Sequence, residues 1–157
     1  IRDMDRFFQA FTDAVLMAQN VVNAAESIGL GTVYFGSILN DADRVIKLLD
    51  LPKLTFPALG LGFGYPNQNP QLKPRMDMEL RMFENKYKCF DSYLDMIKEY
   101  DEIMQTYYDL RQSNQRVDSF SNQVVTKLKN INPIRQRIMN VIVNQGFDLM
   151  LDKADQK

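Results

Sequence analysis

Histidine and tryptophan are absent from these 157 residues, and cysteine occurs once, at Cys89. Without imidazole, neither a Ser-His-Asp nor a Cys-His catalytic arrangement is available, and zinc sites of the usual Cys/His kinds are excluded. A lone cysteine cannot form a disulfide within the chain, so a reducing, cytoplasmic compartment is the expectation. Charge of one sign is lacking too. Lys and Arg number 19 against 20 Asp and Glu, a net charge of -1, which argues against a dedicated nucleic-acid or membrane-surface protein. No apolar run reaches the ~20 residues of a membrane span, and no stretch has the charged start and cleavage site of a signal peptide. Chemistry is thereby left to a bound cofactor or to carboxylates. The chain starts on Ile1 rather than Met, which reads as a processed, truncated or partial chain.

What is present suffices for one sizeable core, with 45% hydrophobic residues, and one domain is the default count. Over residues 4–28 the apolar positions Met4, Phe8, Phe11, Val15, Ala18 and Val22 recur at alternating steps of four and three, with Phe7, Ala14, Val21 and Ile28 as a second ridge. That pattern predicts a helix covered over most of its circumference, ended by Gly29. Residues 32–35 predict a buried strand. Asn40 and Asp41 are suitable caps for a helix carrying Val45, Ile46, Leu48 and Leu49, which Leu51-Pro52 ends. In residues 56–65 large side chains alternate with Gly60, Gly62 and Gly64, giving a strand with one nearly bare face that the first helix is expected to approach.

Residues 67–70 read as a polar turn, and residues 80–87 read equally as an edge strand or the end of a short helix. A helix is predicted over 91–110, with Tyr93, Leu94, Ile97, Tyr100, Ile103, Met104 and Tyr107 inward. Residues 111–121 are polar and loop-like, and two further helices, over 122–129 and 133–145, end at Gly146. Charge is uneven here. Residues 91–109 hold six acids against Lys98, whereas residues 111–137 hold six bases against Asp118.

The segments that could hold a cofactor are short. Tyr34, Phe35, Gly36, Ser37 and Ile38 lie where a strand ends, and a glycine there lets a flat ring approach backbone amides. Lys73 and Arg75 flank Pro74, which stiffens the segment, and together they suit a phosphate: Arg as a fork, Lys as a point charge. Singly, the aromatics read as core and the Lys-Pro-Arg triplet as a solvated loop. Their order, with the glycine-alternating strand between them, is what favours the cofactor.

That order resembles the core of the flavin-dependent nitroreductase family, in its branch of NADPH-dependent flavin reductases and oxygen-insensitive nitroreductases. Arg111-Gln112-Ser113-Asn114-Gln115-Arg116, followed by Asp118-Ser119-Phe120-Ser121, extends the resemblance. It departs at Ser37, where relatives carry Gly, and at Phe120, often Trp. Relatives also have an Arg-Ser-containing opening segment that has no counterpart here, so the chain alone is not expected to hold flavin tightly. The resemblance implies an α+β nitroreductase-like fold: a mixed sheet flanked by helices with a long central helix. Residues 1–90 would be the flavin-binding core and residues 91–157 a helical C-terminal extension of one domain. It also implies an obligate homodimer. FMN would contact Tyr34, Phe35, Gly36, Ser37, Ile38, Lys73 and Arg75, while Arg111 and Arg116 would bind NADPH.

The activity implied is two-electron ping-pong transfer from NADPH through flavin to a nitroaromatic, quinone or free flavin, with no indispensable catalytic side chain and no metal. Two rivals stand beside it. One is a non-catalytic flavin-binding or interaction module, or an inactive fragment of such an enzyme. The other is a helical nucleic-acid-binding domain using the bases of residues 111–137, which ranks far behind because no aromatics interleave them.

Overall fold

Asp3 opens the first helix. Its carboxylate accepts the Arg6 amide N–H at 3.0 Å, and that bond holds the carboxyl below the usual carboxylate range. In the computed structural model, which describes residues 2–109 and 118–149, helix α1 spans Met4–Ser27. Gly29 takes a φ of 83°, its N–H donating to Glu26 O and that of Leu30 to Ala25 O, both at 3.0 Å. The left-handed glycine thus closes the helix as the sequence predicts. Coverage differs. Phe7, Ala18, Val22 and Ala25 form one buried stripe, while Leu16 is 60% and Met17 65% exposed in the single chain.

The chain divides into two compact units, Ile1–Asn67 with Asn132–Lys157, and Gln68–Ile131. In the first, β1 (Gly31–Phe35) and β2 (Gly60–Gly64) pair antiparallel, with Val33 opposite Gly62 and Phe35 opposite Gly60. Of the mixed sheet that the resemblance implies, the described residues hold this one pair. Residues directly opposite share a face. Val33, Phe35 and the glycines therefore lie on one side, and Thr32 and Tyr34 on the other. Helix α1 is on the Thr32 side: Thr32 Oγ1 donates to Glu26 Oε1 at 2.7 Å and Tyr34 Oη to Gln19 Oε1 at 3.2 Å.

Two expectations are corrected by this register. The bare glycine face is covered by the Phe35 side chain, not by α1: a Cβ on Gly62 would lie 2.9 Å from Phe35 Cε2. The strand is also not buried, because Val33, Tyr34 and Phe35 remain 44–50% exposed. A β-branched and aromatic run reports a pleated surface, and says nothing of whether both sides are covered.

Helix α2 (Ala42–Leu48) is capped by Asp41, which accepts the Arg44 N–H at 3.1 Å, and it closes through Asp50 in the left-handed region at φ 50°. The helix expected over 133–145 is a tight 3-10 turn, Arg135–Arg137, followed by α3 (Ile138–Asn144) and then Gly146 at φ 101°. Asn132 causes the tight start, since its Oδ1 accepts the amides of Ile134 and Arg135 at 3.0 and 3.1 Å. The unit's core centres on Phe7, 6% exposed, whose ring meets those of Phe56 at 5.6 Å and Phe147 at 5.0 Å in edge contacts.

In the second unit residues 68–77 have no regular structure, and residues 80–87 form neither strand nor α-helix. A 3-10 turn, Met78–Leu80, ends on the first of them. The helix expected over 91–110 is broken at Ile97 into α4 (Tyr93–Met96) and α5 (Lys98–Asp109). Ile97 has left helical geometry, with φ -100° and ψ 4°. Of the side chains expected inward, Met104 is fully buried and Tyr107 nearly so, whereas Tyr93 and Leu94 are 50% and 68% exposed. Helix α6 spans Phe120–Lys129, so Phe120 and Ser121 are helical rather than loop, with the Ser119 hydroxyl accepting the Asn122 N–H at 3.2 Å. Among the described residues no helix is long and apolar enough to cross a membrane.

Candidate functional site

Tyr34 and Phe35 finish β1, and Gly36, Ser37 and Ile38 start the 3-10 turn Gly36–Asp41 that follows it. Alternation along the strand sends the two aromatics to opposite sides, Tyr34 toward Gln19 of α1 and Phe35 over Gly60 and Gly62. They are not one wall. Ile38 lies with Phe35: a Cβ on Gly60 would come within 3.1 Å of both Ile38 Cγ2 and Phe35 Cβ. Gly36 is different, having nothing within 4 Å of the place its Cβ would occupy. Bare main chain thus faces open space at the strand's end, which is the fit a flat ring needs to reach an amide.

The backbone there is anchored from a distance. Arg135 Nη1 donates to Gly36 O at 3.2 Å and to Asn40 Oδ1 at 3.0 Å. Arg135 is not among the residues that the sequence singles out. Asn40 reads as a helix cap, a role Asp41 takes instead.

Lys73 and Arg75 lie in the second unit, both exposed, on the irregular segment before Met78. Arg75 Nη1 donates to Lys73 O at 3.1 Å, so the guanidinium folds back along its own chain. Pro74 O accepts the Tyr100 hydroxyl at 3.3 Å, tying the segment between the two cations to α5. A guanidinium carries five N–H donors in a fork, and an ammonium three. The pair therefore has the donor chemistry of a phosphate site. Arg111 and Arg116 fall outside the described residues. Among the described residues no group of three or more His, Cys, Asp or Glu is placed to hold a metal ion.

Comparison with known proteins places the chain in a family. The model of the nitroreductase family matches residues 1–65, and that of the nitroreductase family C-terminal domain matches residues 73–150. The oxygen-insensitive NADPH nitroreductase of Salmonella typhimurium is 42% identical over 135 residues, covering 86% of this chain and 55% of its own length. The fold is similar to that of Bacillus megaterium NfrA1, with a TM-score of 0.84 at 33% identity over 94% of this chain and 59% of the other. It is also similar to the NADPH:FMN oxidoreductase of Vibrio harveyi complexed with NAD+, with a TM-score of 0.73 at 37% identity over 87% of this chain and 54% of the other. The chain spans about half the length of the curated relatives it matches. With α+β architecture and family models matched over residues 1–65 and 73–150, the chain belongs to the nitroreductase family.

Proposed function

We propose that this chain serves an FMN-dependent NAD(P)H oxidoreductase that reduces nitroaromatics, quinones or free flavins two electrons at a time. The observation that carries the reading is the open backbone at Gly36, held in place at the end of β1. FMN, when bound, supplies the redox chemistry by accepting a hydride from the nicotinamide and passing it on. The chain's own residues bind and orient it. The amides of Gly36 and Ser37 are donors for the ring edge, and Phe35 and Ile38 provide apolar cover beside them. Lys73 and Arg75 neutralise the phosphate. Arg111 and Arg116 receive phosphate of NADPH, where guanidinium groups distinguish a 2'-phosphorylated ribose from a plain one. No side chain here is asked to act as acid or base.

A homodimer accompanies this reading. Phe8, Leu16 and Met17 on α1 are each at least 60% exposed, an apolar cost that a second copy would remove. An exposed, unbridged Cys89 suits the cytoplasm. The test is the visible spectrum of the purified full-length protein. Flavin bands that bleach on anaerobic addition of NADPH are expected. Material that stays colourless and leaves added FMN fluorescence unquenched overturns the reading. Light scattering on the same sample reads the dimer directly.

A further inference from the structure

Arg135 and Gly36 are 99 positions apart in the sequence and bonded in the fold. The arginine's own backbone is held first. Asn132 Oδ1 accepts the Arg135 amide at 3.1 Å, so the turn bearing the side chain is set before the side chain reaches out. One nitrogen, Nη1, then spans two acceptors, Gly36 O at 3.2 Å and Asn40 Oδ1 at 3.0 Å, at the start and near the end of the turn Gly36–Asp41. An exposed guanidinium with many rotamers is immobilised here, and among the described residues no carboxylate pairs with it. Such an expense of side-chain entropy calls for a role in fixing what it touches.

What it touches is a peptide plane. No cis peptide bond occurs among the described residues, and in a trans peptide the C=O and the following N–H point in opposite directions. Fixing Gly36 O toward Arg135 therefore fixes Ser37 N–H away from it. A cationic donor on the carbonyl also polarises the unit, making that N–H a stronger donor by roughly 10–30%.

Resting on the FMN reading above, we propose that Arg135, braced by Asn40, is a positioning residue for the flavin. It directs and strengthens the Ser37 N–H that the ring edge uses. An N–H aimed at the ring favours the charge the ring gains on reduction. Loss of Arg135 should therefore lower the midpoint potential of bound flavin as well as its affinity.

The test uses full-length protein and three variants, R135M, R135K and N40A, with FMN affinity by fluorescence quenching and the potential of bound flavin by redox titration. R135M is expected to weaken FMN binding about tenfold, the size of one charge-assisted hydrogen bond, and to lower the potential. R135K, keeping the charge but not the planar Nη1 that reaches both acceptors, should recover only part of both. N40A leaves the arginine in place and should move both in the same direction by less. Chemical denaturation of the flavin-free variants separates these effects from lost stability. If the wild type binds no flavin, the functional reading fails and takes this inference with it. If the wild type binds flavin and R135M keeps its affinity and potential, the inference alone fails. R135K equal to wild type in both measurements overturns the need for a guanidinium, and an unshifted potential with weakened binding reduces Arg135 to a structural contact.

Discussion

Asp101 on α5 holds Ser121 on α6 with both of its oxygens: Oδ1 accepts the Ser121 N–H at 2.9 Å, and Oδ2 accepts the Ser121 hydroxyl. Ser119, 5% exposed, joins through a 3.0 Å contact between the two hydroxyls. A charged acceptor in a half-buried place makes these bonds stronger than neutral ones. The preceding residue, Tyr100, packs its ring on Phe120 at 5.3 Å. Adjacent residues of one helix thus fasten the first turn of the next.

Removing the carboxylate should loosen that fastening. D101A is expected to lower stability by about 2–3 kcal/mol, leaving a backbone N–H and a half-buried hydroxyl without their acceptor. D101N should cost less than half as much, since its Oδ1 still accepts the amide and its Nδ2 can donate to a rotated Ser121 hydroxyl. Urea denaturation of the three proteins checks the ranking. Equal losses would mean that charge, not hydrogen bonding, is what Asp101 contributes.

Gln145, like Ser119, is a buried polar side chain, 6% exposed, and it closes the turn after α2. Its Nε2 donates to Pro52 O at 3.1 Å and Thr55 O at 2.7 Å, while its own carbonyl accepts the Leu54 N–H at 2.8 Å. Q145L keeps the volume and the backbone bond but strands two carbonyls. It should destabilise by about 2–4 kcal/mol. A loss below about half a kcal/mol, the scale of ordinary surface changes, would show that water takes over the bonds.

These pairs also mark what could be read in advance. Local signals were legible: the span of α1, the cap at Asp41, and the glycine closures at Gly29 and Gly146 each depend on residues within one turn. The family was legible because its order of glycines, aromatics and cations survives along the chain. Long-range pairing was not. Nothing in residues 91–121 alone selects Ser121 for Asp101, and the partner of Arg135 lies near the other end of the chain. The break at Ile97 and the exposure of β1 escaped for a related reason: periodicity reports which residues share a face, and packing decides whether that face is covered.

The glycines of β2 offer a graded test of the corrected packing. A Cβ at Gly62 meets only side-chain atoms, chiefly the Phe35 ring edge at 2.9 Å; at Gly60 it meets the Phe35 backbone oxygen at 3.3 Å as well; at Gly64 it meets nothing within 4 Å. G64A should be neutral or stabilising by up to about 1 kcal/mol through the unfolded chain. G62A should cost about 1–3 kcal/mol by overpacking. Combining G62A with F35L should recover part of that cost, because the ring that obstructs the new methyl is gone. Strict additivity of the two changes would mean that Phe35 does not cover Gly62.

Lys73 and Arg75 can be tested by what they would recognise rather than by activity. Riboflavin has the same ring as FMN and lacks only the phosphate, so the ratio of the two affinities isolates the contacts to that group. If both cations bind phosphate, wild-type protein should prefer FMN to riboflavin by about a hundredfold or more, two charge-assisted contacts being worth roughly 3 kcal/mol or above. The K73A/R75A double variant should bring that ratio close to one while leaving riboflavin affinity unchanged. R75K alone should fall between, since an ammonium gives up the fork and the bond that Arg75 makes to Lys73 O at 3.1 Å. Titration of each protein with both ligands, at one salt concentration, measures the ratio. A double variant that still discriminates as wild type does would move the phosphate to other residues, and one that loses both ligands equally would make the triplet a structural support for the ring instead.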